Sequence, residues 1–142
     1  MRRRPLIAGV GLLAGTLVTL SGNPAQAATE RYEAESAPAS CTGTIDSDWS
    51  GYSGSGFCNG TNATGAHAQF TVNAPAAGTA TLRIRYANGT GTARPANILV
   101  NGTTATTATF DGTGAWSTWA TRTLTVTLRA GGNTVRLTPT TS

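Results

Sequence analysis

The 142-residue sequence predicts an all-β fold, an antiparallel β-sandwich of jelly-roll-like character. Three observations lead there. Apolar and polar residues alternate over short runs, which is the strand period. Clusters of Gly, Asn and Pro separate those runs as turn signals. No segment carries a long helical period, and the abundant threonine favours strands over helices. Strands at this spacing point to a sandwich.

The N-terminus is read first because it has the form of an export leader. Arg2, Arg3 and Arg4 give a positive start, residues 6–20 are apolar with small residues mixed in, and Ala25-Gln26-Ala27 fits a small-x-small cleavage site. The apolar run is short for a membrane span, which needs about 20 residues. Residues 1–27 are therefore expected to be a secretory signal peptide, and residues 28–142 a single secreted, extracellular module. The whole chain has ten arginines and six acids, a net charge of +4. Three arginines leave with the leader, so seven face six in the mature chain. Nucleic-acid binding asks for a basic patch, and this chain has no basic run.

The first strand expected after the leader is Arg-Tyr-Glu-Ala-Glu at 31–35. Side chains two apart share one face of a strand, so Glu33 and Glu35 lie side by side there. Adjacent carboxylates repel unless a positive charge sits between them. The chain has no lysine at all. A hard cation that takes oxygen ligands, calcium, is the natural solution, which makes Glu33 and Glu35 the candidate metal ligands.

Cys41 and Cys58, in an exported chain, predict one disulfide. It closes a loop holding Asp46, Asp48, Trp49 and Tyr52. Beyond it the alternation is clear. Ala66, Ala68, Phe70 and Val72 interleave with His67, Gln69 and Thr71. Leu82, Ile84 and Tyr86 interleave with Arg83 and Arg85. Leu124, Val126 and Leu128 alternate with threonines, and Val135 and Leu137 flank Arg136. Turns are expected at 74–78, at Asn88-Gly89, at Asn101-Gly102 and at Gly131-Gly132-Asn133.

These pieces resemble carbohydrate-binding module families 6 and 35. The resemblance rests on Tyr-Glu-Ala-Glu at 32–35, Gly-Tyr-Ser-Gly-Ser-Gly-Phe at 51–57 and Phe-Thr-Val at 70–72. It continues through Arg-Tyr-Ala-Asn at 85–88, Val-Asn-Gly at 100–102, Trp-Ser-Thr-Trp at 116–119 and Leu-Arg-Ala-Gly-Gly-Asn-Thr-Val at 128–135. The order is that of the family and the pieces span nearly all of the mature chain. Family 35 is the better fit, on the glycine-rich aromatic element and on Arg-Tyr-Ala-Asn. The resemblance implies a β-sandwich that binds cell-wall polysaccharide or oligosaccharide without catalysis, uronic-acid glycans among its ligands, beside a catalytic domain of a glycan-degrading enzyme. Members continue past the position of Leu137 into a final strand that gives an aspartate to a structural calcium, and this sequence is expected to lack that strand.

Sugar rings pair apolar C–H faces with polar rims, so aromatic platforms beside hydrogen-bonding groups suit them. Trp116, in a glycine-flanked loop, matches the family's ligand-side aromatic, with core packing as the alternative. Tyr52 either flanks the sugar or packs beneath its loop. Asn88 either contacts hydroxyls or holds a left-handed turn. Arg94 offers a fork suited to a carboxylate, or is a solvated surface residue. Asp46 and Asp48 either give oxygens to a metal or cap turns.

Catalysis finds no constellation. Glycosidases need two carboxylates across a cleft. Glu33 and Glu35 are too close together, and Asp46 and Asp48 share one short loop. His67 lies in an alternating run with no Gly-x-Ser-x-Gly elbow. The expected function is therefore binding, not catalysis. Two alternatives remain: a secreted protease inhibitor or interaction protein using the Cys41–Cys58 loop, and a remnant of a larger secreted hydrolase.

Overall fold

A computed structural model describes residues 13–21, 28–61 and 63–141. The described residues form no helix and eleven strands in two antiparallel sheets, the expected sandwich. In chain order they are β1 (Leu13–Ser21), β2 (Ala28–Glu33), β3 (Ser40–Cys41), β4 (Gly43–Asp46), β5 (Phe57–Gly60) and β6 (Ala68–Ala74). There follow β7 (Gly78–Ala87), β8 (Arg94–Val100), β9 (Thr103–Phe110), β10 (Ala120–Leu128) and β11 (Gly131–Pro139). One sheet runs β10-β7-β1-β5-β4, with β2 paired to β1. The other runs β3-β6-β11-β8-β9.

The alternation read from sequence becomes the inner faces. Leu82, Ile84 and Tyr86 of β7, with Val126 and Leu128 of β10, meet Phe70 and Val72 of β6 and Val135 and Leu137 of β11 in one core. The arginines between them, Arg83 and Arg85, face outward across the first sheet. Tyr86 and Phe110 cross edge-on at 5.0 Å, joining the sheets at one end. Tyr32 reaches from β2 across the sandwich, where its hydroxyl accepts the Asn73 backbone N–H at 3.0 Å.

Several local expectations change. The strand expected over 31–35 ends at Glu33, and Glu35 lies in the turn that follows. His67 sits one residue before β6 rather than inside it. Asn88 does not take a left-handed backbone, whereas Asn101 does, at φ 52°, and Gly102 follows at φ 85°. That pair makes the tight β8–β9 hairpin predicted there. Gly131-Gly132-Asn133 opens β11 instead of forming the turn. Asn133 is buried, and its amide donates to Arg129 O and Gly131 O and accepts from Arg129 N and Asn101 Nδ2. A side chain that satisfies four partners fixes the β10–β11 connection from inside.

Within the residues read as a leader, Leu13–Ser21 forms β1, in the middle of the first sheet. The rest of that segment, residues 1–12 and 22–27, lies outside the described residues.

Candidate functional site

At one end of the sandwich β7 stops at Ala87, β8 starts at Arg94, β9 ends at Phe110 and β10 starts at Ala120. The loops 88–93 and 111–119 therefore meet there. They carry Asn88, Trp116 and many hydroxyls, with Arg94 at their margin, opposite Phe110 in the β8–β9 ladder.

Asn88 is completely buried. Its Nδ2 donates to Thr92 O at 2.9 Å and Phe110 O at 3.0 Å. Its Oδ1 accepts from Thr90 N at 3.1 Å and Thr90 Oγ1 at 2.6 Å. An asparagine amide offers two donors and two acceptor sites, so this one is saturated. Its backbone also exchanges bonds with Thr113. Asn88 is thus the tie between the two loops, a role that sequence reasoning did not consider.

Trp116 is only 6 % exposed and packs with Phe57 and Ala87, with Trp49, Tyr52 and Trp119 around them. Of its two expected positions, the structure has the packed one. The ring lies so close over Gly89 that a Cβ there would be 2.6 Å from its Cγ, Cδ1 and Cδ2. Only glycine allows that approach. Tyr52 is half-buried and tilts against Phe57, with ring centroids 5.6 Å apart. Trp119 meets the other side of Phe57 at 5.6 Å and donates from Nε1 to Ser50 O at 3.0 Å. Arg85 stacks over Trp119 at 5.7 Å and donates to Gly51 O at 2.6 Å. The disulfide-closed loop is therefore pinned onto the first sheet by aromatic rings and an arginine.

The disulfide is formed between Cys41 and Cys58, with Cα atoms 5.8 Å apart. Inside its loop, Asp46 is buried and accepts from Asn59 Nδ2 at 2.7 Å, while Asp48 is exposed. In the sequence Phe57 showed only as the end of the glycine-rich motif, because β5 carries no alternation to mark it as a strand.

Glu33 and Glu35 do come together, around Gly54. A Cβ on Gly54 would lie 3.1 Å from Glu33 Cδ and would also meet Glu35 Oε1. Glu33 Oε2 accepts from Ser53 Oγ at 2.9 Å and from Thr16 Oγ1 at 3.0 Å, and the two hydroxyls touch each other. Glu35 Oε1 accepts from Ser55 N at 2.8 Å. Glu35 Oε2 is buried with no hydrogen-bond partner. An unsatisfied buried carboxylate oxygen costs about 1–3 kcal/mol or more. Among the described residues no cluster of three or more His, Cys, Asp or Glu exists. What lies together there is two carboxylates and neighbouring hydroxyl oxygens, oxygen donors of the kind a hard divalent cation takes. Thr16 could not have been found from sequence, since it lies in the apparent leader.

With the fold and these loops in place, comparison with known proteins decides the family. The sequence model described as carbohydrate binding module (family 6) matches residues 33–142. The chain belongs to that family. Several of its solved neighbours are family 35 modules. One from Cellvibrio japonicus is 43 % identical with TM-score 0.69, over 72 % of this chain and 74 % of that one. Another, solved in complex with a glucuronic acid-containing disaccharide, is 42 % identical with TM-score 0.67, over 72 % and 75 %. Among curated proteins, the exo-β-D-glucosaminidase of Amycolatopsis orientalis is 43 % identical over 112 residues, and the endo-1,4-β-xylanase B of Cellvibrio japonicus is 43 % identical over 102. Those matches take 78 % and 70 % of this chain but only 11 % and 17 % of the two enzymes. This module is a carbohydrate-binding domain, similar to small parts of larger glycan-active enzymes.

Proposed function

We propose that the module is secreted, calcium-stabilised and non-catalytic, and that it binds cell-wall glycans, those with uronic acids among them. The observation that carries this reading is the meeting of the two hydroxyl-rich loops at Trp116, which Asn88 and Gly89 hold in a fixed place. The two loops also carry Thr90, Thr92, Thr113, Ser117 and Thr118, and a tryptophan beside hydroxyl groups suits a sugar's apolar face and polar rim. Arg94 stands at the border with a fork suited to a carboxylate. The glucuronic acid-containing ligand of a 42 %-identical neighbour supports the same ligand class. Glu33 and Glu35 would hold calcium, with the Ser53 hydroxyl beside them. The ion would supply positive charge where two carboxylates crowd. By the pattern of the relatives, the partner in the same polypeptide is a catalytic domain acting on glycans.

Calorimetric titration with glucuronic acid and with neutral cell-wall oligosaccharides tests the reading, each run with calcium and with chelator. Saturable binding is expected, weakened at least about tenfold in Trp116→Phe, since a smaller ring offers less contact. No binding by a cooperatively folded protein would overturn the site.

A further inference from the structure

A groove of about 430 Å³ lies on the outer face of the first sheet, and none of its lining comes from loops 88–93 or 111–119. Arg31 of β2, Val18 of β1 and Arg83 and Arg85 of β7 line it, with Tyr52 and Thr121 beside them. Register brings the arginines together. Val18 pairs with Arg31 on one side and with Arg83 on the other, so those two stand about 9.5 Å apart at the backbone, two strand spacings. Arg85 follows Arg83 on the same face, about 6.8 Å along the strand. Glu33 flanks Thr16 in the next row, and its carboxylate is taken by Ser53 and Thr16. The residues lining the groove include no acid. Arg85 is committed to Gly51 O and Trp119, whereas Arg31 and Arg83 are exposed. Like charges gathered on one sheet face are unfavourable by themselves, and an anion between them removes that cost. The other polar lining groups are hydroxyls, and half-buried Val18 gives an apolar floor. Forks, hydroxyls and an apolar floor together suit a charged sugar chain better than a bare ion.

We propose that this groove is a second binding site, for a polysaccharide that carries anionic groups, carboxylate or sulfate, on neighbouring sugars. Arg31 and Arg83 pair with those anions through their guanidinium forks. Val18 and the Tyr52 ring take an apolar sugar face, and the threonine hydroxyls bond its rim.

The full chain tests this at low ionic strength, titrated with dextran sulfate, with oligogalacturonate and with uncharged dextran. Saturable binding of at least one polyanion is expected, weakening as salt is added, and dextran should not displace it. Whichever polyanion binds more tightly identifies the anion. Arg31→Gln and Arg83→Gln should each weaken binding several-fold, and the two together at least about tenfold, since each loses a charge-assisted pair. Both side chains are exposed, so the unfolding midpoint should stay that of the parent. Arg129→Gln removes one charge from the β10–β11 connection and should weaken binding far less than either. The proposal is overturned if neither polyanion binds the folded protein, or if the paired substitution binds as the parent does. It is equally overturned if Arg129→Gln costs as much as Arg31→Gln or Arg83→Gln, which would mean attraction to net charge alone. Sugar binding at Trp116 stands or falls separately, because none of these substitutions lies in loops 88–93 and 111–119.

Discussion

Asn88 and Gly89 shape the end where loops 88–93 and 111–119 meet by two different means. Asn88 holds both loops through a saturated buried amide, so truncation orphans several groups at once. Asn88→Ala is expected to lower the unfolding free energy by about 2–3 kcal/mol in urea titration. It should also weaken sugar binding, because both loops lose the tie that holds them. Gly89→Ala acts by volume alone: the new methyl pushes Trp116 away, and tryptophan fluorescence and sugar affinity should both change while the fold persists. His67 offers a cleaner electrostatic reading. Burial, then the charge of Arg136, lowers its pKa below the ordinary imidazole value. The unfolded chain therefore binds the proton more tightly than the folded one. The favourable contribution is complete above the ordinary value and is lost as pH falls through the depressed one. An NMR titration should find the midpoint low, and Arg136→Gln should raise it.

At the scale of elements, the disulfide loop shows how a weakly patterned segment is held. Its cysteines are separated by 17 in sequence, and a loop of that size gives about 3 kcal/mol in the chain-entropy model. Reduction should lower the unfolding free energy by roughly that amount, read by denaturant titration with and without reductant. The strands β6, β7, β10 and β11 were legible in the sequence because each has one core face and one wet face. β9 was not, since Thr103–Phe110 is threonine and alanine in no strict alternation before Phe110 and has little contrast to read. β5 was hidden for the opposite reason, being buried at three consecutive residues, Phe57, Cys58 and Asn59. The resemblance singled out Trp116 and Asn88 as candidates, and strand spacing singled out Glu33 and Glu35. Depth was beyond it: the burial of Trp116 depends on Gly89 27 positions earlier, and that of Asn88 on a carbonyl of Phe110. The closeness of Glu33 and Glu35 was expected from strand geometry but arises from a turn closing around Gly54.

For the molecule as a whole, the acidic pocket matters because of what meets there. Glu33 ends β2, Glu35 lies in the following turn, Ser53 and Ser55 come from the disulfide loop, and Thr16 comes from β1. A cation held by these groups would tie three segments that are far apart in sequence. Without it, two carboxylates and one unpartnered buried oxygen oppose the same closure. An ion that binds only the folded state stabilises it by mass action, about 2.7 kcal/mol when its concentration is a hundredfold above Kd. Calcium should therefore raise Tm by several degrees, with the shift growing with the logarithm of its concentration. Magnesium should give much less, since it demands tighter octahedral geometry and dehydrates reluctantly. Glu35→Gln removes one charge with little change of shape. It should raise Tm in chelator by relieving repulsion and abolish most of the calcium shift. That opposite pair of effects distinguishes a metal pocket from a hydrogen-bonded one. If the two carboxylates served only as acceptors for Ser53, Ser55 and Thr16, Glu35→Gln would lower Tm in chelator and calcium would move neither protein.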